Sequence, residues 1–158
     1  MVNASDARWL VNETFGAYAR FEGERTRFEQ VGINISVLQP GQPMALYHGE
    51  EDQEDFLVLS GTAVLVVEGQ ERPLEQWDFV HCPPWTKHIF VGAGEGPCVI
   101  LMAGSREGEW SVRYPVSELA ERYGAGAKVE TADPGEAYVG FQPSRRERPS
   151  YWDQLPWA

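Results

Sequence analysis

The sequence predicts an all-β protein of short antiparallel strands, arranged as a sandwich or a barrel. Apolar or alternating segments recur from residue 31 onward, and turn residues separate them. The 16 glycines and 11 prolines are spread along the chain rather than concentrated in one linker. Strands at this spacing, with little helical periodicity between them, are typical of all-β domains.

The predicted barrel covers residues 31–114. Residues 33–38 alternate apolar and polar side chains, which indicates a half-buried strand. Pro40, Gly41 and Pro43 mark the turn that follows this strand. The further predicted strands cover residues 44–48, 56–59, 63–67, 72–74, 77–82, 88–91, 98–103 and 110–114.

An N-terminal arm, residues 1–30, precedes the predicted barrel. Within it, residues 9–11 have the apolar character of a short strand. The aromatic residues of the arm predict that it docks on a surface, which is either its own barrel or a second subunit.

Residues 115–158 are predicted to form a short helix and an aromatic tail. The helix covers residues 116–123, where Ser117 can serve as the N-cap and Gly124 ends the helix. The tail holds three large aromatic rings between residues 151 and 157. Because a free tail gains nothing from such rings, we expect it to pack on the barrel or on a partner subunit.

Length and charge limit the functions open to the chain. Its 158 residues correspond to one domain. A formal charge of −11 disfavours nucleic acid and anionic membranes as partners. No apolar run is long enough to span a membrane, and the first residues lack a secretion signal pattern.

Two cysteines, Cys82 and Cys98, make no disulfide framework, so we expect a cytoplasmic protein.

Four residues form a candidate metal site. His48 and Glu50 are two residues apart, so on a strand their side chains point to the same face. Glu54 can return to that face after a bend, and a neighbouring strand can bring His88 opposite. Considered singly, His48 is more simply interpreted as an ordinary half-exposed histidine. Glu50 and Glu54 are more simply interpreted as part of an acidic loop. Together they offer imidazole and carboxylate ligands suited to Fe, Mn, Zn or Ni.

The spacing of these residues resembles the first motif of the cupin superfamily. That motif is Gly, five residues, His-x-His, three or four residues, Glu, six residues, Gly. Here Gly41 is followed by six residues, His48-x-Glu50, three residues, Glu54, six residues and Gly61. The chain departs from the motif by one extra residue after Gly41 and by a glutamate in place of the second histidine.

A second stretch resembles the other cupin motif, which is Gly, five residues, Pro-x-Gly, two residues, His, three residues, Asn. Here Trp77 is followed by five residues, the segment 83–85, two residues and His88, with Gly92 at the Asn position. Trp77 and Trp85 therefore stand where the motif has glycine. The resemblance covers about residues 32–104 and implies a double-stranded β-helix, or jelly-roll barrel, of about eight to eleven strands.

The resemblance also implies one divalent metal ion inside the barrel, held by His48, Glu50, Glu54 and His88. Residues near these positions are candidates to line the pocket. Met44 and Leu46 share strand parity with His48. Cys82 lies on the second-motif strand, and Trp85 would narrow the barrel mouth if it pointed inward. Packing outside the barrel is the simpler expectation for that tryptophan.

Three functions remain open from the sequence. The favoured one is a metal-dependent enzyme acting on a small organic molecule, with dioxygenase-like chemistry preferred. The first alternative is a non-catalytic module that binds or senses a small ligand. The second is a sugar-phosphate isomerase, which needs a cation in the pocket, and the predicted barrel strands offer little besides Arg72 and Lys87. Small cupins are often dimers, so the resemblance also implies a homodimer.

Overall fold

The computed structural model describes residues 1–23, 26–106 and 110–158. Within these residues most of the regular secondary structure is antiparallel strand, which confirms the predicted fold class. The strands are β1 (Arg8–Asn12), β2 (Gly16–Arg20), β3 (Val31–Leu38), β4 (Gly49–Glu50), β5 (Glu54–Ser60), β6 (Thr62–Val67), β7 (Gln70–Leu74), β8 (Phe79–Cys82), β9 (His88–Ala93), β10 (Cys98–Ser105) and β11 (Val112–Arg113).

The helices are short and lie outside the sheets. Helix α1 (Glu118–Glu121) occupies the predicted position, and the Ser117 hydroxyl accepts a hydrogen bond from the Ala120 N–H at 3.2 Å. A second helix, α2 (Pro134–Ala137), was not expected from the sequence. Two 3-10 turns cover Ala4–Asp6 and Trp152–Gln154. None of the helices in the described ranges is long and apolar enough to cross a membrane.

Two sheets enclose the main core. One has six strands in the order β1-β2-β3-β10-β5-β8, and the other has three strands in the order β7-β6-β9. Strands β4 and β11 form a separate short pair. Apolar side chains from the inner faces pack together between the sheets, namely Leu38, Phe56, Val58, Leu65, Phe90, Cys98 and Ile100. Burial of this set removes large apolar surfaces from water and supplies most of the driving force for folding.

A tight hairpin joins β6 and β7. Val67 pairs with Gln70, which leaves a loop of two residues. Both loop residues, Glu68 and Gly69, have positive φ angles, of 45° and 74°. This combination is a type I′ turn, whose twist matches that of the flanking strands.

The prediction of a strand over residues 44–48 is wrong. This segment bends, and it meets β9 only through isolated bridges. Backbone N–H groups of this segment donate to residues far apart in the chain. The Leu46 N–H donates to the Tyr138 hydroxyl, and the Tyr47 N–H donates to the Ala125 carbonyl. A segment whose donors point to different elements cannot pair as a regular strand.

The N-terminal arm and the aromatic tail both pack on the six-stranded sheet of their own chain. Strands β1 and β2 extend that sheet beyond β3, rather than standing apart from the barrel. Trp9 lies 5.3 Å from Trp152 and 5.4 Å from Trp157, measured between ring centroids. Leu155 is buried in the same cluster. The tail therefore covers the outer face of the sheet near its β1 edge.

Candidate metal site

Three of the predicted ligands converge at one end of the barrel. Their donor atoms all lie within 4.8 Å of one another. Glu54 is the first residue of β5 and His88 the first residue of β9, while His48 immediately precedes β4. Each residue therefore sits where a strand begins, so the backbone there is fixed while the side chain points into the opening between the sheets.

Both imidazoles are held by backbone carbonyls through the same ring atom. His48 Nδ1 lies 2.6 Å from the Leu46 carbonyl oxygen, and His88 Nδ1 lies 2.9 Å from the Thr86 carbonyl oxygen. A carbonyl only accepts, so each Nδ1 carries the proton and each Nε2 keeps its lone pair. This fixed tautomer and ring orientation is the arrangement in which histidine binds a metal.

Glu50 stands beside this group rather than within it. Its Oε1 atom lies 3.5 Å from His48 Nε2, while its Oε2 atom accepts a hydrogen bond from Trp110 Nε1 at 2.9 Å. On the other side, Glu54 Oε2 lies 3.4 Å from His88 Nε2. Each imidazole thus faces one carboxylate, and Trp110 holds the Glu50 carboxylate at the edge of the site.

Burial and mutual charge perturb the acid–base behaviour of all four groups. Burial, reinforced by the Glu50 carboxylate, raises the pKa of Glu54 to about 7. Burial opposes a charge on His48, but the two carboxylates outweigh it and raise the pKa of that imidazole. Burial and the neighbouring His48 lower the pKa of His88 to about 4. For Glu50, burial acts to raise the pKa, but the hydrogen bond and charge of His48 and the Trp110 hydrogen bond together outweigh it and lower the pKa of the carboxyl.

A cavity of about 260 Å³ opens onto these residues. The apolar part of its lining includes Phe56 and Met102 from the six-stranded sheet and Phe90 from β9. The wall formed by β2 and β3 is polar and includes Tyr18, Arg20, Asn34 and Ser36. An outer vestibule shares Glu50 and Glu54 with this cavity and is bordered by Arg27 and Trp110. The candidate metal site therefore lies between an inner pocket and solvent.

Of the four residues predicted to line the pocket, Met44 does so and three lie elsewhere. Leu46 packs with Val112 and Tyr114 in a separate cluster, because the bend over residues 44–48 breaks the strand parity on which its prediction depended. Cys82 does face inward, but it is buried in the main core beneath the cavity. Trp85 is 40% exposed and lies on the outside, with the Arg113 guanidinium 5.8 Å from its ring.

Trp77 and Trp85, which stand where the motif has glycine, have backbone conformations that favour glycine. Their φ angles are 77° and 67°, in the left-handed region that favours glycine. The large rings of both residues are turned outward.

The residues that sequence reasoning missed come mostly from the N-terminal strands. Arg20 lies on β2, which the sequence placed outside the barrel, whereas the expected cations Arg72 and Lys87 are exposed and do not line the cavity. The positive charge in the pocket is therefore supplied by Arg20 and not by Arg72 or Lys87. If residues 16–20 are assigned to a strand, Tyr18 and Arg20 share one face. That pattern could have indicated that Arg20 lines the pocket.

The donor set fits a divalent transition metal. Two Nε2 lone pairs and a carboxylate on one side of a cavity match the two-histidine, one-carboxylate arrangement, which leaves further coordination positions open. His48, Glu54 and His88 would hold the ion, and Glu50 is close enough to join them.

One family model and several solved structures are similar to this chain. The family model described as "Cupin domain" matches residues 34–104. No protein with a curated description matches the sequence. A putative sugar phosphate isomerase from Acidithiobacillus ferrooxidans is 27% identical with a TM-score of 0.56, and the match covers 63% of this chain and 66%, just under two thirds, of that protein.

Two further solved structures share the fold. A sugar phosphate isomerase from a cupin superfamily, from Silicibacter pomeroyi, is 23% identical with a TM-score of 0.64, covering 75% of this chain and 82% of that one. A Cupin 2 conserved barrel domain protein from Salinispora arenicola is 18% identical with a TM-score of 0.55, covering 78% and 92%. These matches confirm the double-stranded β-helix, and residues 34–104 of the chain are similar to a cupin domain.

Proposed function

We propose that this protein is a metal-dependent enzyme that acts on a small organic molecule. One divalent ion is held by His48, Glu54 and His88, with Glu50 as a fourth ligand. The observation that carries the proposal is the pair of imidazoles whose Nδ1 atoms are engaged by backbone carbonyls, while their Nε2 atoms face the carboxylates at the cavity. A merely structural cluster has no need of this shared orientation.

The ligand set favours dioxygenase-like chemistry. Two histidines and one carboxylate with open positions are typical of non-haem Fe(II) oxygenases, although Mn, Zn and Ni also accept these donors. When bound, such a metal supplies Lewis acidity or, in the case of iron, the capacity to activate O₂. The chain itself contributes a shaped pocket, in which Phe56, Phe90 and Met102 form apolar lining near the site.

Metal analysis of three proteins tests the site. We expect the purified wild type to bind about one divalent ion per chain, as set by one ligand group. His88→Ala should lose that ion because it removes one imidazole donor. His81→Ala is the matched control, since His81 is exposed and pairs with Asp55 at 2.7 Å on the opposite face of its strand from the core residue Cys82. Equal metal content in the wild type and His88→Ala would contradict the proposal.

A second variant guards against misfolding of His88→Ala, because His88 is buried. Glu54→Gln keeps the size and polarity of the side chain but removes the charge. It should retain the thermal unfolding of the metal-free wild type while binding metal more weakly. Oxygen consumption by the Fe(II)-loaded wild type, tested with small phenols and keto acids, then distinguishes an oxygenase from a non-catalytic binding protein, which would bind such compounds without turnover.

Isomerisation of a sugar phosphate is the second candidate function. It is favoured by the 27% identity to a putative sugar phosphate isomerase and by Arg20, which supplies the cation that the predicted strands lacked. An isomerase moves a proton between neighbouring carbons without consuming oxygen. Deuterium incorporation from D₂O into a panel of aldose phosphates, in the absence of O₂, would support this reaction over the oxygenase.

We also propose that the protein is a homodimer that pairs through β8. This strand ends the six-stranded sheet, so one of its backbone edges has no partner strand among the described residues. Trp77 and Phe79 are 67% and 64% exposed beside that edge. Antiparallel pairing of two copies of one edge strand satisfies a two-fold axis. Sedimentation equilibrium of the wild type and of Phe79→Lys tests this, and a monomeric wild type would contradict it.

The cytoplasmic location remains a prediction.

A further inference from the structure

The β2–β3 wall of the cavity carries a strip of four polar side chains. In the sheet register, Arg20 pairs with Asn34 and Tyr18 pairs with Ser36. Directly paired residues point to the same face, and all four side chains line the 260 Å³ cavity. The strip therefore faces the ligand pocket, and Phe90 of β9 lies on the opposite sheet.

These four side chains have no polar partner in the described part of the chain. Neither the amide of Asn34 nor the hydroxyls of Tyr18 and Ser36 form a side-chain hydrogen bond there, and Arg20 forms no ion pair. The contact of the Arg20 guanidinium is with the Tyr18 ring, at 5.3 Å from its centroid. Polar groups in a pocket are usually paired with protein or ligand atoms, and Ser36 is only 2% exposed.

Arg20 is an exposed residue at the end of β2 that also lines the cavity. The chain carries a formal charge of −11, and Glu50 and Glu54 line the same cavity, yet no acidic residue of the described ranges lies within ion-pair distance of Arg20. A guanidinium presents a planar fork of donors that matches carboxylate and phosphate oxygens. Asn34, Ser36 and Tyr18 add neutral donors around it.

We infer that this strip is a subsite for an anionic group of the substrate, a carboxylate or a phosphate. Arg20 binds the anionic oxygens and Asn34 and Ser36 donate further hydrogen bonds. The remainder of the substrate then lies against the apolar wall and reaches the residues of the candidate metal site. The inference rests on the proposed function, because it takes this cavity as the substrate pocket. A volume of about 260 Å³ restricts the ligand to a small molecule.

Anion binding to the metal-free protein tests the subsite separately from the metal. The probes are inorganic phosphate and malonate, titrated by calorimetry into the wild type, Arg20→Gln and Arg72→Gln. Arg72→Gln is the control, since it makes the same charge change on the exposed strand β7, away from the cavity. We expect Arg20→Gln to weaken binding by about tenfold or more, the usual effect of losing a charged hydrogen bond. Arg72→Gln should bind like the wild type.

The two probes distinguish the chemical source of the anion, because the preferred one binds more tightly to the wild type and loses more in Arg20→Gln. Binding that is equal in all three proteins, or undetectable in the wild type, would overturn the subsite. A loss of the same size in Arg72→Gln would overturn it too, because bulk charge would then explain the effect. If anions bind through Arg20 but the wild type holds no metal, the proposed function fails and the subsite stands. Unchanged metal content in Arg20→Gln shows that the two sites are separate.

Discussion

His48 and His88 are joined by a reciprocal backbone bridge. The His88 N–H donates to the His48 carbonyl at 2.8 Å, and the His48 N–H donates to the His88 carbonyl at 3.3 Å. The ring centroids are 5.2 Å apart as a result. Two residues separated by forty positions in sequence are thus brought together by main-chain pairing, which positions both imidazoles before any ligand binds.

Metal binding should strengthen as the pH rises through about 7. Glu54 has a pKa of about 7 and His48 a raised pKa, so below these values a proton occupies a ligand atom that the metal needs. His88, with its pKa lowered to about 4, offers no such competition near neutrality. Each competing proton weakens affinity by up to about tenfold per pH unit below its pKa.

Calorimetric titration of the metal-free protein with Zn²⁺, at pH values one unit either side of 7, measures this effect. His81→Ala should show the same pH dependence as the wild type, because His81 lies outside the site. A constant affinity across this range would show that neither Glu54 nor His48 gives up a proton on binding.

The Tyr138 hydroxyl supports the backbone that holds His48. It accepts a hydrogen bond from the Leu46 N–H at 3.1 Å, and the Leu46 carbonyl in turn is hydrogen-bonded to His48 Nδ1. Tyr138→Phe would leave a buried N–H without a partner, so we expect a loss of about 1–3 kcal/mol in the free energy of unfolding. Urea denaturation measures it. Tyr123→Phe is the control, because that hydroxyl bonds an exposed glutamate, and a similar loss in both variants would contradict a specific role for Tyr138.

Much of the fold was predictable because its signals are local. Alternating side chains marked β3. The spacing of two motifs also indicated which residues would approach one another, and the structure brings His48, Glu54 and His88 within 4.8 Å. This approach could be expected because the two motifs resemble those of cupins, and spacing along the chain does not by itself specify a strand register.

The remaining features depend on pairings between distant residues. Arg20 enters the cavity only because β2 adds to β3 in one register, and no local pattern specifies that register. The bend over residues 44–48 exists because Leu46 and Tyr47 donate to elements about ninety and eighty residues later. Trp110, which holds Glu50 at 2.9 Å, carries no sequence signal that would connect it with a metal site.

The aromatic tail should contribute to stability through Leu155. This side chain is 5% exposed and packs in the cluster with Trp9 on the outer face of the six-stranded sheet. Leu155→Ala should lower the free energy of unfolding by about 2–5 kcal/mol, the usual cost of truncating a buried leucine. Gln154→Ala, at an exposed neighbouring position, should change it little. Equal effects of the two variants in urea denaturation would show that the tail is not docked as described.

Trp77, which stands where the cupin motif has glycine, provides a test of backbone strain. Its φ angle of 77° is costly for any residue with a Cβ atom, and its ring is 67% exposed, so little packing is lost when the side chain is removed. We therefore expect Trp77→Gly to be more stable than Trp77→Ala by about 1 kcal/mol, because alanine keeps the Cβ atom and glycine does not. The comparison cancels the loss of the ring, which both variants share. If alanine were as stable as glycine at this position, the left-handed conformation of residue 77 would not be maintained in solution.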